Sequence, residues 1–219
     1  MFMIKSYYSS NIWLILGIIT GAYFISLFLE FNYVFTDEFY MNSLSETNTP
    51  ESVNSIIKQA REYQWLNYPI SLLIILVPAL LISGILYIGI IFKEYEVKFK
   101  KVFKIVLAAQ IIFALNYLVS ILLRITHVLK SNLWNVNNNY SYQSALVFFK
   151  NTELPFYAKY ALQMINVTEL IFILFLSLGM SYLLEIKFSK SLSFVALYYG
   201  AAIILWIIFT VFLYTLLYK

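Results

Sequence analysis

Residues 70–92 read ISLLIILVPALLISGILYIGIIF, 23 consecutive positions without a charged side chain. A helix of about 20 apolar residues crosses a hydrocarbon core of about 30 Å, so the stretch reads as a membrane span. Four more segments of the same kind occur at 12–29, 102–123, 161–184 and 192–217. Lipid offers no partner to backbone N–H and C=O groups, which makes continuous apolar segments of this length helices rather than open strands. Composition agrees: 62% of the residues are hydrophobic, 12% are charged, and the mean hydropathy is +0.79. The chain therefore reads as an all-α polytopic integral membrane protein, one membrane domain over 1–219. Its core is a five-helix transmembrane bundle, with an external amphipathic helix and external segments at 30–68 and 124–160.

Lys5 before an apolar stretch raises the question of a cleavable signal peptide. The stretch is longer than a signal core, and Glu30-Phe31-Asn32-Tyr33 follows it without a small-x-small cleavage pattern, so it reads as a retained span.

Basic residues in short loops stay on the cytoplasmic side. Lys93, Lys98, Lys100, Lys101 and Lys104 crowd the connector between spans two and three, and Lys187 and Lys190 mark the one before span five. Both connectors belong inside. The long segments hold only Lys58, Arg61, Arg124, Lys130, Lys150 and Lys159 and belong outside, which puts the N-terminus inside and Lys219 outside. Trp13, Trp65 and Trp134 near the span ends fit an interfacial aromatic belt.

The net charge of +4 gathers in the lysine connector beside a membrane, so its counterpart is anionic lipid headgroups, with Lys98, Lys100, Lys101 and Lys104 as candidate contacts, and not nucleic acid. The same lysines also serve simply to fix topology. No cysteine is present, which excludes disulfides, thiolate metal sites and thiol nucleophiles. Richness in Ile, Asn, Lys, Phe and Tyr is what an AT-rich genome encodes and leans toward a bacterial plasma (inner) membrane.

In the first external segment Thr49 suits an N-cap, Pro50 the first helical position, and Glu51 the positive end of the dipole. Val53, Ile56, Ile57, Ala60 and Tyr63 recur at helical spacing against Asn54, Lys58, Arg61 and Glu62. This amphipathic helix is expected to end near Pro69, with its apolar face on the outer membrane interface or capping the bundle, or serving as a docking surface. The second external segment opens as loop around Asn135, Asn137, Asn138 and Asn139, and the apolar run 145–149 reads as a short interfacial helix.

Polar residues inside the spans mark the candidate site. Gln110, Asn116, Ser120 and Arg124 in span three, with His127 beyond it, fall within roughly a third of the helix circumference. Gln163, Asn166, Glu169, Ser177 and Ser181 do the same in span four. Asn116 and Glu169 should each lie about seven residues, or about 10 Å, inside. Spans three and four are accordingly expected to face each other across one layer of Asn116, Ser120, Asn166 and Glu169, with Arg124 and Gln163 nearer the surface. An ionisable group at such depth is protonated, paired or in contact with a watery cavity. It makes either a hydrogen-bonded lock between helices or a proton-linked or cation site, with Arg124 or His127 as relay. Gly17 and Gly21 form a small-xxx-small packing signal in span one. Pro78, Ser83-Gly84 and Gly89 in span two suggest a kink with small contact surfaces, read either as ordinary packing or as a gating hinge.

The familiar enzyme motifs are missing, and catalysis would have to rest on a serine paired with His127 in an arrangement that no motif marks. Asp37 is the only aspartate, His127 the only histidine, and no G-x-S-x-G, Walker or dinucleotide glycine pattern occurs. No cofactor or metal is implied.

The run Ile165-Asn166-Val167-Thr168-Glu169-Leu170, Gly179 nearly a helix-length on, the basic turn of Lys187 and Lys190, and the final apolar helix resemble the last two spans of the Yip-domain family. These five-span proteins are named for interaction with Ypt (Rab) GTPases. The five spans and their orientation also look like it. The resemblance implies a compact helical bundle in a membrane-organising or partner-binding protein and implies no catalysis. The long cytosolic tail of eukaryotic members has no counterpart before Ile12, which puts a GTPase partner in doubt. The expectation is a non-enzymatic accessory or scaffold subunit in contact with membrane lipids and a protein partner or further copies of itself. The alternative is a small transporter component with Gln110, Asn116, Asn166 and Glu169 along a polar path.

Overall fold

A computed structural model of the chain describes residues 7–8, 10–45, 48–129, 141–149, 152 and 154–217. Lys5, Glu46, Lys130, Trp134, Asn135, Asn137, Asn138, Asn139, Lys150 and Lys219 lie outside them. Among the described residues the structure is mostly helical and holds no strand, and five helical runs are long and apolar enough to cross a membrane: Ile12–Val34, Pro50–Phe92, Phe99–Ile125, Val167–Leu184 and Phe188–Leu216.

Span one begins where the Asn11 side chain accepts the Trp13 N–H, runs as α1 (Ile12–Leu29), and closes in a π-helical turn at Glu30–Val34. Thr36 caps α2 (Asp37–Leu44), and Thr49 caps α3 (Pro50–Tyr63), with Pro50 and Glu51 placed as read from sequence. The amphipathic helix does not end at Pro69. A 3-10 turn at Gln64–Leu66 carries it into α4 (Asn67–Phe92), because Pro69 falls in the first turn, where a missing N–H costs nothing. Val53 and Ile57 are buried and α3 packs on α2, so the apolar face caps the bundle. Arg61 pins this cap with an ion pair to Asp37 at 2.9 Å and hydrogen bonds to the carbonyls of Phe31 and Phe35. Trp13 and Trp65 are exposed, as an interfacial belt requires.

Span three breaks at Gln110 into α5 (Phe99–Ala109) and α6 (Ile111–Ile125). It is the central element: α5 packs against spans two and four, and α6 against span one. Its residues Val102, Ile105, Val106, Leu107, Ala108 and Ala109 form the middle of the apolar core with Ile75, Leu86, Phe172 and Met180.

Span four departs from the expected 161–184. A short α7 (Phe156–Met164) stops, Ile165 and Asn166 are non-helical, and α8 (Val167–Leu184) starts afresh. The cause is Asn166, which sits in an extended conformation, bridges to Ser144, and uses its side-chain oxygen to cap the Glu169 N–H at 2.7 Å. Glu185, at φ 54°, ends α8. Span five starts earlier than 192, as α9 (Phe188–Val195), a π turn at Ala196–Gly200, and α10 (Ala201–Leu217).

Close approach uses other glycines than Gly17 and Gly21, around which an added Cβ would meet nothing within 4 Å. At Gly89 a Cβ would lie 2.6 Å from the Tyr198 ring, and at Gly179 it would lie 2.6 Å from Ile105 and 2.8 Å from Tyr8. Gly84 also has open space. The helix runs through Pro78 without a break. The run 145–149 is a 3-10 segment with Phe148 exposed.

Candidate functional site

The polar side chains of span three lie on one face of α6, where Asn116, Ser120 and Arg124 succeed one another every four residues and are all buried. Gln143 of the external segment bridges that face to Thr168 of span four. The face itself meets span one and the external segment.

At its end the Arg124 guanidinium reaches Glu30, with Nη1 3.4 Å from Oε1, and both side chains are less than a tenth exposed. The Tyr117 hydroxyl donates to the second carboxylate oxygen of Glu30. Tyr23 of span one packs its ring 5.6 Å from that of Tyr117. Glu30 opens the π turn, whose wider winding lets the Phe35 N–H reach back to the Glu30 carbonyl at 2.8 Å. The sequence reading took Glu30 as the first residue of an external loop and missed it. A signal existed: a lone carboxylate at the end of span one and a lone guanidinium on the polar face of span three, both at the same end of the bundle.

One and two turns back, the turn Ser141–Gln143 plugs between spans three and four. Gln143 Nε2 donates to Asn116 Oδ1 and to Thr168 Oγ1, each at 2.6 Å, and the Tyr142 hydroxyl donates to Asn116 Oδ1 at 3.1 Å. The Ser120 hydroxyl donates to the Asn116 carbonyl at 2.8 Å. Among the described residues, buried Asn116 Nδ2 and Gln110 Nε2 have no hydrogen-bond partner. Gln143, a loop residue by sequence, is thus the hinge pin of the layer, and nothing in the local pattern marked it.

Glu169 belongs to a separate pair. It lies in the first turn of α8, not seven residues deep, and the Tyr199 hydroxyl donates to its Oε1 at 2.6 Å. Tyr199 comes from the π turn of span five, so the layer expected between spans three and four is divided: Asn116 and Ser120 on one side, Glu169 and Tyr199 on the other, with Gln143 and Thr168 between. Asn166 serves as the cap of α8 and donates to the Gln163 carbonyl at 3.0 Å, so Gln163 and Asn166 act in the turn before the span and not within it. Arg124 meets Glu30 rather than Glu169, and His127 is exposed at φ 57°. The buried Glu30 and the half-buried Glu169 are thereby each matched to a tyrosine hydroxyl, and both pairs involve a π turn.

At the opposite end, Lys98 and Lys100 are exposed, while Lys101 and Lys104 line a recess of about 350 Å³ with Tyr8 and Glu185. Beneath the bundle the Tyr7 hydroxyl donates to the Ala108 carbonyl at 3.0 Å and that of Tyr8 to the Phe175 carbonyl at 2.6 Å. Burial pushes the Tyr7 hydroxyl up to about 12 and that of Tyr8 higher still. Among the described residues no three His, Asp or Glu side chains come together as a metal would need.

No family model matches the chain, and no curated protein or solved structure matches it.

Proposed function

We propose that the protein is a non-enzymatic accessory or scaffold subunit of a membrane assembly, of the Yip-like kind, in a bacterial inner membrane. The observation that carries this reading is the outer half of span five. In α10, Leu205, Ile208 and Phe212 are more than half exposed. Between this helix and span two lies an apolar recess of about 660 Å³, with Ile85, Leu197 and Phe209 around the small residues Ala201 and Ala202. Small residues in a recess admit the side chains of a neighbouring transmembrane helix, which packs there through van der Waals contact. The pairing of Glu30 and Glu169 with tyrosines inside the chain supports the same reading, since paired carboxylates lock helices together.

The test is co-purification at native abundance of the wild type and of Ala202→Trp, which fills the recess. The scaffold reading expects a stoichiometric partner that Ala202→Trp loses while the variant keeps its thermal stability and Glu169→Gln keeps the partner. An identical set of companions for wild type and Ala202→Trp would sink it.

One observation favours a transporter component as a second reading. The amide nitrogens of Asn116 and Gln110, unpartnered among the described residues, each cost about 1–3 kcal/mol in a dry bundle, a cost that water or a polar substrate in a path past them would remove. Flux across reconstituted vesicles that Glu169→Gln abolishes would favour it over the scaffold.

A further inference from the structure

The recess at the lysine end has two poles. Lys101 and Lys104 stand in the first two turns of α5, where the helix dipole adds positive potential. Glu185 stands at the end of α8, where the dipole adds negative potential, and its left-handed backbone is held by its N–H on the Ser181 carbonyl. Tyr182 lines the wall between, and Ile105 and Leu183 make the apolar part of the lining.

The floor is rigid. Tyr8 is almost wholly buried, its hydroxyl is committed to the Phe175 carbonyl, and its ring packs where Gly179 allows no larger side chain. A pocket on rigid elements, with two ammonium groups on one side and a carboxylate on the other, does not suit a simple anion, which Glu185 would repel. It suits a molecule carrying a phosphate and an ammonium a few ångströms apart. The place decides its source: the recess lies at the lysine end of a bundle of membrane-spanning helices, where lipid headgroups meet the protein.

We propose that this recess binds the headgroup of a phosphoethanolamine lipid. The phosphate sits against Lys101 and Lys104, and the primary ammonium donates to the Glu185 carboxylate beside Tyr182. The acyl chains leave the recess past Leu183. A primary ammonium is preferred to a trimethylated one because Glu185 accepts hydrogen bonds, which a quaternary nitrogen cannot donate.

The experiment is native mass spectrometry of the full chain, taken from vesicles of equimolar phosphatidylethanolamine, phosphatidylglycerol and phosphatidylcholine. The expected result is one retained phosphatidylethanolamine, favoured about tenfold, the equivalent of about 1.4 kcal/mol. Lys101→Ala/Lys104→Ala should lose retention, and Glu185→Gln should retain lipid but with its headgroup preference cut to about twofold. The control Lys93→Ala/Lys190→Ala removes the same charge at the same end and should behave as wild type. Preference for phosphatidylglycerol, unchanged preference in Glu185→Gln, or equal loss in the control would each overturn the proposal. So would displacement of the lipid by an equal concentration of soluble glycerophosphoethanolamine, which would assign the recess to a free solute.

Discussion

Arg124 and Glu30, 94 positions apart in sequence, form a buried ion pair that joins span three to the end of span one, and Tyr117 supplies the hydrogen bond that completes it. Removing one member strands the other charge, which costs about 3–5 kcal/mol for a buried pair, whereas replacing both by apolar groups leaves no orphan. Thermal unfolding in mild detergent should show Glu30→Leu and Arg124→Leu each strongly destabilised and the double variant recovering more than half of either loss. Additive losses would show that the two side chains act separately.

Gln143 is the only side chain that the structure places in hydrogen-bond contact with both Asn116 and Thr168 among the described residues. Gln143→Ala should cost about 1–3 kcal/mol, because it leaves buried acceptors behind. It should also release the segment 141–149, read as faster proteolytic cleavage there with the five spans intact. Unchanged cleavage would mean that Tyr142 and the Ser144 bridge to Asn166 hold the segment alone.

Glycine substitutions should separate by neighbour rather than by motif. Gly179→Val drives a side chain into Ile105 and Tyr8 and should destabilise by about 1–3 kcal/mol or more, while Gly17→Val enters open space and should leave the thermal midpoint of the isolated chain within a degree or so. Equal effects would contradict the helix contacts described above.

The Tyr7 hydroxyl stays protonated in the fold up to about pH 12, whereas in the unfolded chain it ionises near 10. The unfolded state therefore binds fewer protons between these values, and stability present below pH 10 is lost as pH rises toward 12. Denaturation curves at pH 9, 10 and 11 should fall more steeply for wild type than for Tyr7→Phe, which has no proton to lose at this position. Parallel curves would mean that Tyr7 remains accessible to base in the fold.

A chain without cysteine accepts single reporters cleanly. Cysteine placed at Asn54, on the cap, should react with an impermeant maleimide in intact cells, and cysteine placed at Ser189, beside the lysine turn, should react only after permeabilisation. The reverse pattern would invert the orientation that the lysines imply.

The membrane class, the five spans and the start of the cap helix were legible because apolar length, Pro50 and the Thr49 cap are local signals. What was not legible depended on partners distant in sequence. Asn166 reads as one more polar position at helical spacing until its cap on Glu169 and its bridge to Ser144 compete with helix continuation. Gly17 and Gly21 match a packing motif that any helix face can carry, whereas Gly89 and Gly179 matter because large rings come to rest on them. Glu30 escaped because the apolar run ends at Leu29 while the helix winds on through Glu30–Val34.

Those two π turns, Glu30–Val34 and Ala196–Gly200, each hold one residue more than an α-helical turn would. The wider winding takes up that extra residue, so the faces beyond it lie where an α-helix one residue shorter would put them. The positions of Glu30 and Tyr199 are thus a matter of reading frame as much as of side-chain identity. Loss of a single residue from either turn would leave a span of ordinary helical winding whose next face still meets the same neighbour, whereas loss of one from the α-helical winding elsewhere would turn that face by about 100°. These two turns are the places where a span can gain or lose one residue and keep its neighbours.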